Sequence, residues 1–235
     1  MLFLFTVRCK VTTIICIFAA KNLNIMKKAA LFDLDGVVFD TEPQYTRFWG
    51  SVFRHYYPEQ PGLEMKIKGS TLVQIYDLYF AGRQEDQARI TQALNDFERD
   101  MDYLFVPGFE AFIGSLRQQG VKTAVVTSSN VEKMRNVYRR HPAFPGWFDA
   151  VLTSEDFAKS KPDPDGYLKA AARLGLEPAE CVGFEDSVNG LKALNAARMF
   201  TVGLDTTNPR NIVEQYADLV VSDFTDESLW SRISV

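Results

Sequence analysis

Two acidic side chains, Asp33 and Asp35, directly follow a short apolar run at residues 29–32. In an extended chain, residues two positions apart point to the same side, so both carboxylates emerge together. Buried carboxylates without partners repel each other and are costly to desolvate, and the pair therefore needs a cation or a role in proton sharing. Gly36 allows the chain to turn away sharply after the pair. A strand-end turn that merely carries acidic residues is the alternative interpretation.

Hydroxyl groups follow a second apolar run, at Thr127, Ser128 and Ser129. Hydroxyls and backbone N–H groups that open a helix are suited to binding phosphate or another oxyanion. The same residue types are ordinary helix caps, so this segment alone does not distinguish a binding site from a cap.

A lysine, Lys161, lies in the segment 160–165, where Pro162 and Pro164 stiffen the chain. A lysine in a rigid turn can present its charge to a phosphoryl oxygen and to a nucleophilic carboxylate. The alternative is a solvated loop lysine.

Two further acids, Glu185 and Asp186, end a fourth apolar run and parallel Asp33 and Asp35. Oxygen ligands clustered around a small site are typical of Mg²⁺. Capping of the next helix by Asp186 or Ser187 is the alternative. Together, the four segments occur in order at the ends of four predicted strands. They supply a nucleophile, a proton carrier, a phosphate binder, a cation and a metal site.

Short apolar runs typical of buried parallel strands alternate with helical patterns along most of the chain. Gly120 ends one helical pattern, and Asn130 is placed to cap the next. This alternation predicts an α/β fold with a doubly wound, mostly parallel, Rossmann-like sheet. The predicted strands cover residues 29–32, 123–127, 150–152, 181–184, 200–204 and 219–221. The predicted helices of this part cover residues 109–119, 131–138, 167–174 and 187–197.

Residues 43–104, called the helical insertion below, interrupt this alternation because they hold few strand-like runs and many helix formers and aromatic residues. We interpret them as a small domain inserted after the first strand. It would lie over the carboxyl ends of the strands, where open α/β sheets bind ligands. Residues 26–42 and 105–235 then form the core domain.

Residues 1–25 form a separate N-terminal extension ahead of Met26. The apolar run at residues 11–20 resembles the apolar region of a secretory signal, although it is too short to span a bilayer comfortably. The interpretation that we favour is a start-site artefact, with Met26 as the natural start. A genuine signal would place the protein outside the cytoplasm.

The composition is that of an acidic globular protein. The 235 residues include 26 Lys and Arg against 30 Asp and Glu, a net charge of −4, which does not suggest a nucleic-acid-binding surface. Two histidines make enzymes built on histidine chemistry poor candidates, and the three cysteines lack the spacing of a zinc site or a disulfide framework. We expect a cytoplasmic monomer without a nucleic-acid partner or a stable membrane association.

Four stretches resemble the motifs of the haloacid dehalogenase (HAD) superfamily of phosphotransferases. They are LFDLDGVVFDTE at 31–42, VVTSSN at 125–130, SKPDPDGY at 160–167 and GFEDSVNG at 183–190. Within the superfamily, the chain resembles the branch of β-phosphoglucomutase and small sugar-phosphate phosphatases, with the helical insertion in the place of a helical cap. The dehalogenases of this superfamily lack an acid two positions after the nucleophile, so Asp35 favours phosphorus chemistry over carbon–halogen cleavage.

The resemblance implies a role for each matched residue. Asp33 would attack phosphorus and form an aspartyl phosphate. Asp35 would protonate the leaving oxygen and then deprotonate the attacking water or alcohol. Thr127 would hold a phosphoryl oxygen, and Lys161 would neutralise charge on the phosphoryl group and on Asp33. The full set of predicted phosphate-binding residues is Thr127, Ser128, Ser129, Lys161 and Lys68, and the implied ligands of Mg²⁺ are Asp33, Glu185, Asp186 and the carbonyl oxygen of Asp35.

The core motifs do not separate a phosphatase from a mutase, because transfer to water and transfer to a sugar use the same core residues. In the mutase, an arginine grips the distal phosphate and a histidine orients the acid/base, and Leu72 and Tyr45 occupy the matching positions here. Lys68 or Arg83 remains as a replacement cation. We therefore predict a Mg²⁺-dependent phosphatase acting on a small phosphorylated metabolite, a sugar phosphate, with a β-phosphoglucomutase-like phosphohexomutase as the alternative. A catalytically silent binding protein is disfavoured, since the nucleophile and the metal acids are all present.

Overall fold

The computed structural model describes residues 27–233, and the predicted N-terminal extension lies outside them. Six strands form a parallel sheet: β1 (Ala29–Phe32), β2 (Lys122–Val126), β3 (Ala150–Leu152), β4 (Cys181–Glu185), β5 (Phe200–Leu204) and β6 (Leu219–Val221). Their order across the sheet is β3-β2-β1-β4-β5-β6. The chain therefore winds outward from β1 in both directions, which confirms the predicted doubly wound α/β fold.

Helices fill the connections between these strands. Five lie between β1 and β2, and they are α1 (Glu42–Tyr56), α2 (Leu63–Lys66), α3 (Leu72–Tyr79), α4 (Gln84–Asp100) and α5 (Phe109–Gln118). The later helices are α6 (Val131–Arg140), α7 (Asp165–Leu174), α8 (Val188–Ala196), α9 (Arg210–Val213) and α10 (Ser228–Ile233), with short 3₁₀ helices at Phe144–Trp147 and Pro178–Glu180. The bounds of the predicted strands and of the predicted helices that follow the insertion agree within two residues, the usual uncertainty at helix and strand ends.

Strand β1 is buried on both faces, as expected for the centre of a parallel sheet. On one face, Phe32 stacks on Phe184 with ring centres 4.7 Å apart and meets the edge of Phe109 at 5.5 Å. On the other face, Leu31 packs in a separate cluster with Tyr167 of α7. Alternate side chains of one strand therefore join the two helical layers to the sheet.

The helical insertion encloses an apolar cluster of its own. Its buried members are Trp49, Phe53, Leu63, Ile67, Ile75, Phe80, Ile90 and Leu94. This cluster is distinct from the clusters on the two faces of the sheet. The division of the chain into two domains stays a prediction that this separate packing supports.

The strand register brings the sequence motifs together at one edge of the sheet. Phe32 is paired with Val125 on one side and with Phe184 on the other. The residues that follow these three positions therefore leave the sheet side by side. In the described part of the chain, no helix combines the length and the apolar character needed to cross a membrane.

Substitution Phe32→Ala should lower the free energy of unfolding by about 3–5 kcal/mol, because it leaves a cavity among buried aromatic rings. Substitution Leu78→Ala, at a side chain that is 71% exposed, is the control and should change stability by less than about 0.5 kcal/mol. Urea denaturation followed by circular dichroism measures both. Equal losses in the two variants would contradict the assignment of β1 as the centre of the core.

Candidate active site

A cavity of about 610 Å³ lies between the carboxyl edge of the sheet and the helical insertion. Residues from both sides line it, so the insertion forms a wall of the site. Eight of the predicted site residues line this cavity: Asp33, Asp35, Lys68, Thr127, Ser128, Ser129, Lys161 and Asp186. Glu185 is fully buried behind the wall.

Lys161 joins two of the predicted acids. Its Nζ donates to Asp33 Oδ1 at 2.5 Å and to Glu185 Oε1 at 2.5 Å, and it also reaches the carbonyl oxygen of Val126 at 3.1 Å. The lysine side chain is 5% exposed. The ammonium group of Lys161 therefore lies next to Asp33, the predicted nucleophile.

These contacts set the protonation of both partners. Burial raises the pKa of Asp33 to about 7, with Lys161 lowering it and the charges of Glu185 and Asp35 raising it. Burial alone would lower the pKa of Lys161, but the charges of Asp33 and Glu185 outweigh it and raise the pKa above its usual value. The lysine therefore stays charged, and Asp33 needs additional positive charge to be fully ionised at neutral pH.

Protein donors occupy both carboxylate oxygens of Glu185. Oε1 accepts from Lys161 and from Tyr167 Oη at 2.8 Å, and Oε2 accepts from Ser187 Oγ at 3.1 Å. The same serine caps α8 by accepting from the N–H of Gly190. Glu185 is thus fixed as the partner of Lys161, while its neighbours in the acidic cluster, Asp33 and Asp186, line the cavity.

The acids of the two strand ends form one cluster. Asp33, Glu185 and Asp186 each offer a carboxylate oxygen, and these oxygens lie within 4.8 Å of one another. Burial raises the pKa of Asp186 well above its usual range, and the charges of Glu42, Glu185 and Asp33 add to the effect. One lysine does not balance these buried acids. In residues 27–233, this oxygen donor set fits a divalent cation.

Asp35 lies in a different environment from Asp33. Its carboxylate accepts from Thr41 Oγ1 at 2.5 Å and from Ser129 Oγ at 3.0 Å, and Lys133 Nζ lies 2.5 Å from both oxygens. Burial alone would raise the pKa of Asp35, but the charge of Lys133 and these hydrogen bonds lower it. Asp35 is therefore held as a carboxylate.

The hydroxyl groups that follow β2 differ in their hydrogen-bond partners. Thr127 is buried, and its Oγ1 accepts from the N–H of Ser129 at 3.0 Å. Within the described residues, the buried hydroxyl of Ser128 has no hydrogen-bond partner. Since Ser128 lines the cavity, this unused hydroxyl is available to a ligand oxygen.

Lys68 is engaged inside the cavity wall. Its Nζ forms an ion pair with Glu42 and donates to Thr46 Oγ1 at 2.8 Å. Arg83, the other candidate cation of the insertion, pairs with Asp86 and lies over the ring of Tyr56. Lys68 and Arg83 therefore both have an acidic partner.

The sequence interpretation missed Lys133 and its surroundings. Asn130 caps α6 as predicted, by accepting from the N–H of Lys133 at 2.9 Å. That cap places Lys133 in the first turn of α6, where the helix dipole disfavours a cation. A lysine in the first turn of a predicted helix therefore indicates in the sequence that an acid lies nearby. Glu98, which accepts from Tyr45 Oη at 2.7 Å, left no comparable signal.

Comparisons with known proteins show the family of this chain. Residues 27–198 match the family model described as haloacid dehalogenase-like hydrolase. The chain is 30% identical to the validoxylamine A 7′-phosphate phosphatase of Streptomyces hygroscopicus subsp. limoneus, over 88% of this chain and 99% of that protein. It is also 30% identical to the β-phosphoglucomutase of Bacillus subtilis (strain 168), over 86% of this chain and 92% of that protein.

A solved structure shares the fold. The crystal structure of a β-phosphoglucomutase from Clostridium difficile aligns with a TM-score of 0.73 at 22% identity, covering 89% of this chain and 97% of that one. At that identity the likeness concerns the fold, and the family follows from the sequence matches. This chain belongs to the haloacid dehalogenase-like hydrolases, as its four motifs predicted.

Proposed function

We propose that this protein is a Mg²⁺-dependent phosphatase that hydrolyses the monophosphate ester of a small, sugar-like metabolite through an aspartyl phosphate. The observation that carries the proposal is the pairing of Asp33 with buried Lys161 at a cavity that Thr127 and Ser128 also line. A nucleophile, a fixed cation and an unused hydroxyl thus meet in one enclosed site. We further propose a cytoplasmic monomer, a setting compatible with the free, buried thiol of Cys181.

In the first step, an oxygen of Asp33 bonds to phosphorus as the bond from phosphorus to the leaving oxygen breaks. Asp35, whose surroundings favour the carboxylate, must take up a proton before this step, and it gives that proton to the leaving oxygen, so an alcohol departs. Lys161 holds its charge beside the phosphoryl oxygens. A bound Mg²⁺, held by Asp33, Asp186 and the carbonyl oxygen of Asp35 with Glu185 alongside, would supply further positive charge there.

In the second step, water attacks phosphorus and the bond between phosphorus and Asp33 breaks. Asp35, now ionised, accepts the proton of the water. The hydrogen bonds and the Lys133 charge that lower the pKa of Asp35 favour this ionised form. The cycle ends with Asp35 protonated and inorganic phosphate released, so the residue is ready for the next leaving group.

The helical insertion contacts the loops that carry two of the site residues. Gln74 Nε2 donates to the carbonyl oxygen of Lys161 at 3.3 Å. Gly69 approaches Ser187 so closely that an added Cβ would lie 2.6 Å from its hydroxyl. These contacts tie the insertion to two catalytic loops, and we propose that they exclude bulk water during transfer.

The pairing of Lys68 supports a monophosphate substrate. Glu42 neutralises this lysine within the cavity wall, and Leu72 stands where the mutase has its arginine. Among the described residues that line the cavity, the cations are Lys68 and Lys161, and each is already paired with a carboxylate, so a second phosphate would find no unpaired cation there. The geometry therefore favours a substrate whose far end is uncharged.

The direct test is ³¹P NMR of the protein with Mg²⁺ and a panel of hexose, pentose and triose phosphates. The panel includes β-glucose 1-phosphate with a trace of its bisphosphate. Growth of inorganic phosphate supports the phosphatase. Conversion of the 1-phosphate to the 6-phosphate without phosphate release would establish the mutase instead, and no reaction with any substrate would favour a binding protein.

Substitution Asp33→Asn should abolish phosphate release and leave the fold intact, because the amide cannot form the aspartyl phosphate. Asp40→Asn, an exposed position in the same segment, is the matched control and should keep full activity. A malachite-green phosphate assay and a thermal melt measure both properties. Unchanged turnover in the Asp33 variant would exclude the mechanism.

Removal of divalent metal with EDTA should abolish turnover, and added Mg²⁺ should restore it, because the buried acids then lose their compensating charge. Mg²⁺ should also raise the melting temperature of the wild type, since it binds the folded state. Asp186→Asn should reduce that rise, whereas Asp163→Asn should not. A melting temperature that is insensitive to Mg²⁺ would contradict the proposed metal site.

Substitution Glu42→Gln should release Lys68 and improve recognition of a second phosphate. We expect KM for a hexose bisphosphate to fall about 10-fold relative to the matching monophosphate, the effect of one charged hydrogen bond. The double variant Glu42→Gln/Lys68→Met should lose this gain. Steady-state kinetics on the two substrates measure the ratio, and a wild type that already prefers the bisphosphate would refute the monophosphate assignment.

A further inference from the structure

Lys133 is buried in a position that is unfavourable without a partner. Its side chain is 2% exposed, and it lies in the first turn of α6, where the helix dipole repels a cation. Burial of a lysine is strongly unfavourable unless its charge is compensated. The compensation comes from Asp35, whose two oxygens each lie 2.5 Å from Nζ.

Residues of the helical insertion complete the surroundings of Lys133. Its Nζ lies 4.6 Å from the centre of the Tyr45 ring, a cation–π distance. Tyr45 Oη donates to Glu98 Oε1, and Tyr103 Oη donates to the carbonyl oxygen of Glu98 at 2.8 Å. Helix α1 therefore contacts the lysine through Tyr45, and α4 holds Tyr45 through Glu98.

Lys133 controls the orientation of Asp35 more completely than the two hydroxyls do. Thr41 contacts only Oδ1 and Ser129 only Oδ2, whereas the lysine contacts both oxygens. A charged donor also forms stronger hydrogen bonds than a neutral hydroxyl. Loss of either hydroxyl leaves the carboxylate held by the lysine, while loss of the lysine leaves it with single contacts.

We propose that Lys133 is the positioning residue of Asp35, and that Tyr45 and Glu98 of the helical insertion hold it for that task. The inference rests on the proposed function, in which Asp35 transfers the proton. A core lysine, steadied by the insertion, thus keeps the carboxylate aimed at the leaving oxygen. Asp35 is then oriented for proton transfer only when the helical insertion is packed on the core.

This role predicts a dependence on the leaving group. The value of kcat/KM reports the reaction up to departure of the first product. Benzyl phosphate loses a poor leaving group that needs a proton, whereas p-nitrophenyl phosphate loses one that needs little help. Lys133→Met should let the carboxylate of Asp35 move out of position. We therefore expect kcat/KM for benzyl phosphate to fall by about 100-fold, mainly through kcat. For p-nitrophenyl phosphate the loss should be less than about 5-fold, since that step needs little acid catalysis.

A double-mutant cycle tests whether Lys133 acts through Asp35. Asp35→Asn should slow benzyl phosphate turnover by roughly 10²–10⁴-fold. Lys133→Met should add no further loss in that background, because the residue it positions is already gone. Arg135→Met, on the exposed part of the same helix, is the control and should leave both substrates unaffected.

The outcomes separate this inference from the proposed function. Equal losses on the two substrates, or a further loss of tenfold or more in the Asp35→Asn background, would overturn the role of Lys133 alone. A gain in activity would overturn it too. A thermal melt shows whether Lys133→Met folds. If it does not, the benzyl phosphate activity of Asp35→Asn is compared with that of the double variant, in which both charges are removed, and a further loss of tenfold or more again overturns the role. A wild type that releases phosphate from neither substrate overturns the proposed function and this inference with it.

Discussion

The ion pairs of Lys161 are the interactions on which the rest of this site depends. The doubly wound sheet gathers several acids at one edge, and the lysine lies between Asp33 and Glu185, 2.5 Å from each. Removal of one partner from such a buried pair typically costs 3–5 kcal/mol, because the other charge is left uncompensated. Tyr167 and Ser187 also donate to Glu185, so the lysine that pairs with Asp33, the proposed nucleophile, is held by a fixed carboxylate.

A second lysine gives the neighbouring acid the opposite character. Asp33 and Asp35 are two residues apart, yet burial raises the pKa of Asp33 to about 7, whereas Lys133 and two hydroxyls lower that of Asp35. Each acid has its own cation, and each cation comes from a different connection of the sheet. Environments that separate the pKa values of two nearby carboxyl groups are how one site obtains distinct acid and base roles.

The sequence was informative where function depends on neighbouring residues in the chain. The apolar runs predicted all six strands of the sheet, because strands buried on both faces are continuously apolar. The acids at the carboxyl ends of β1 and β4 are visible directly in the sequence. Lys133 was not predicted, because it lies 98 positions from Asp35 in sequence and meets it only after the sheet is wound. The pairing of Lys68 with Glu42 was missed for a related reason, since helical periodicity does not tell which face of an inserted helix turns toward the site.

Helix α1, which begins at Glu42 and continues into the helical insertion, contributes several groups to the proposed active site. Glu42 forms an ion pair with Lys68, and its charge adds to the burial that raises the pKa of Asp186. Tyr45, on the same helix, faces Lys133 and through it Asp35. In the proposed mechanism, substrate choice, metal affinity and proton transfer thus depend on one helix. A change that adapts this helix to a new substrate would then also alter the charges around the reacting phosphate, so specificity and rate would be coupled through α1.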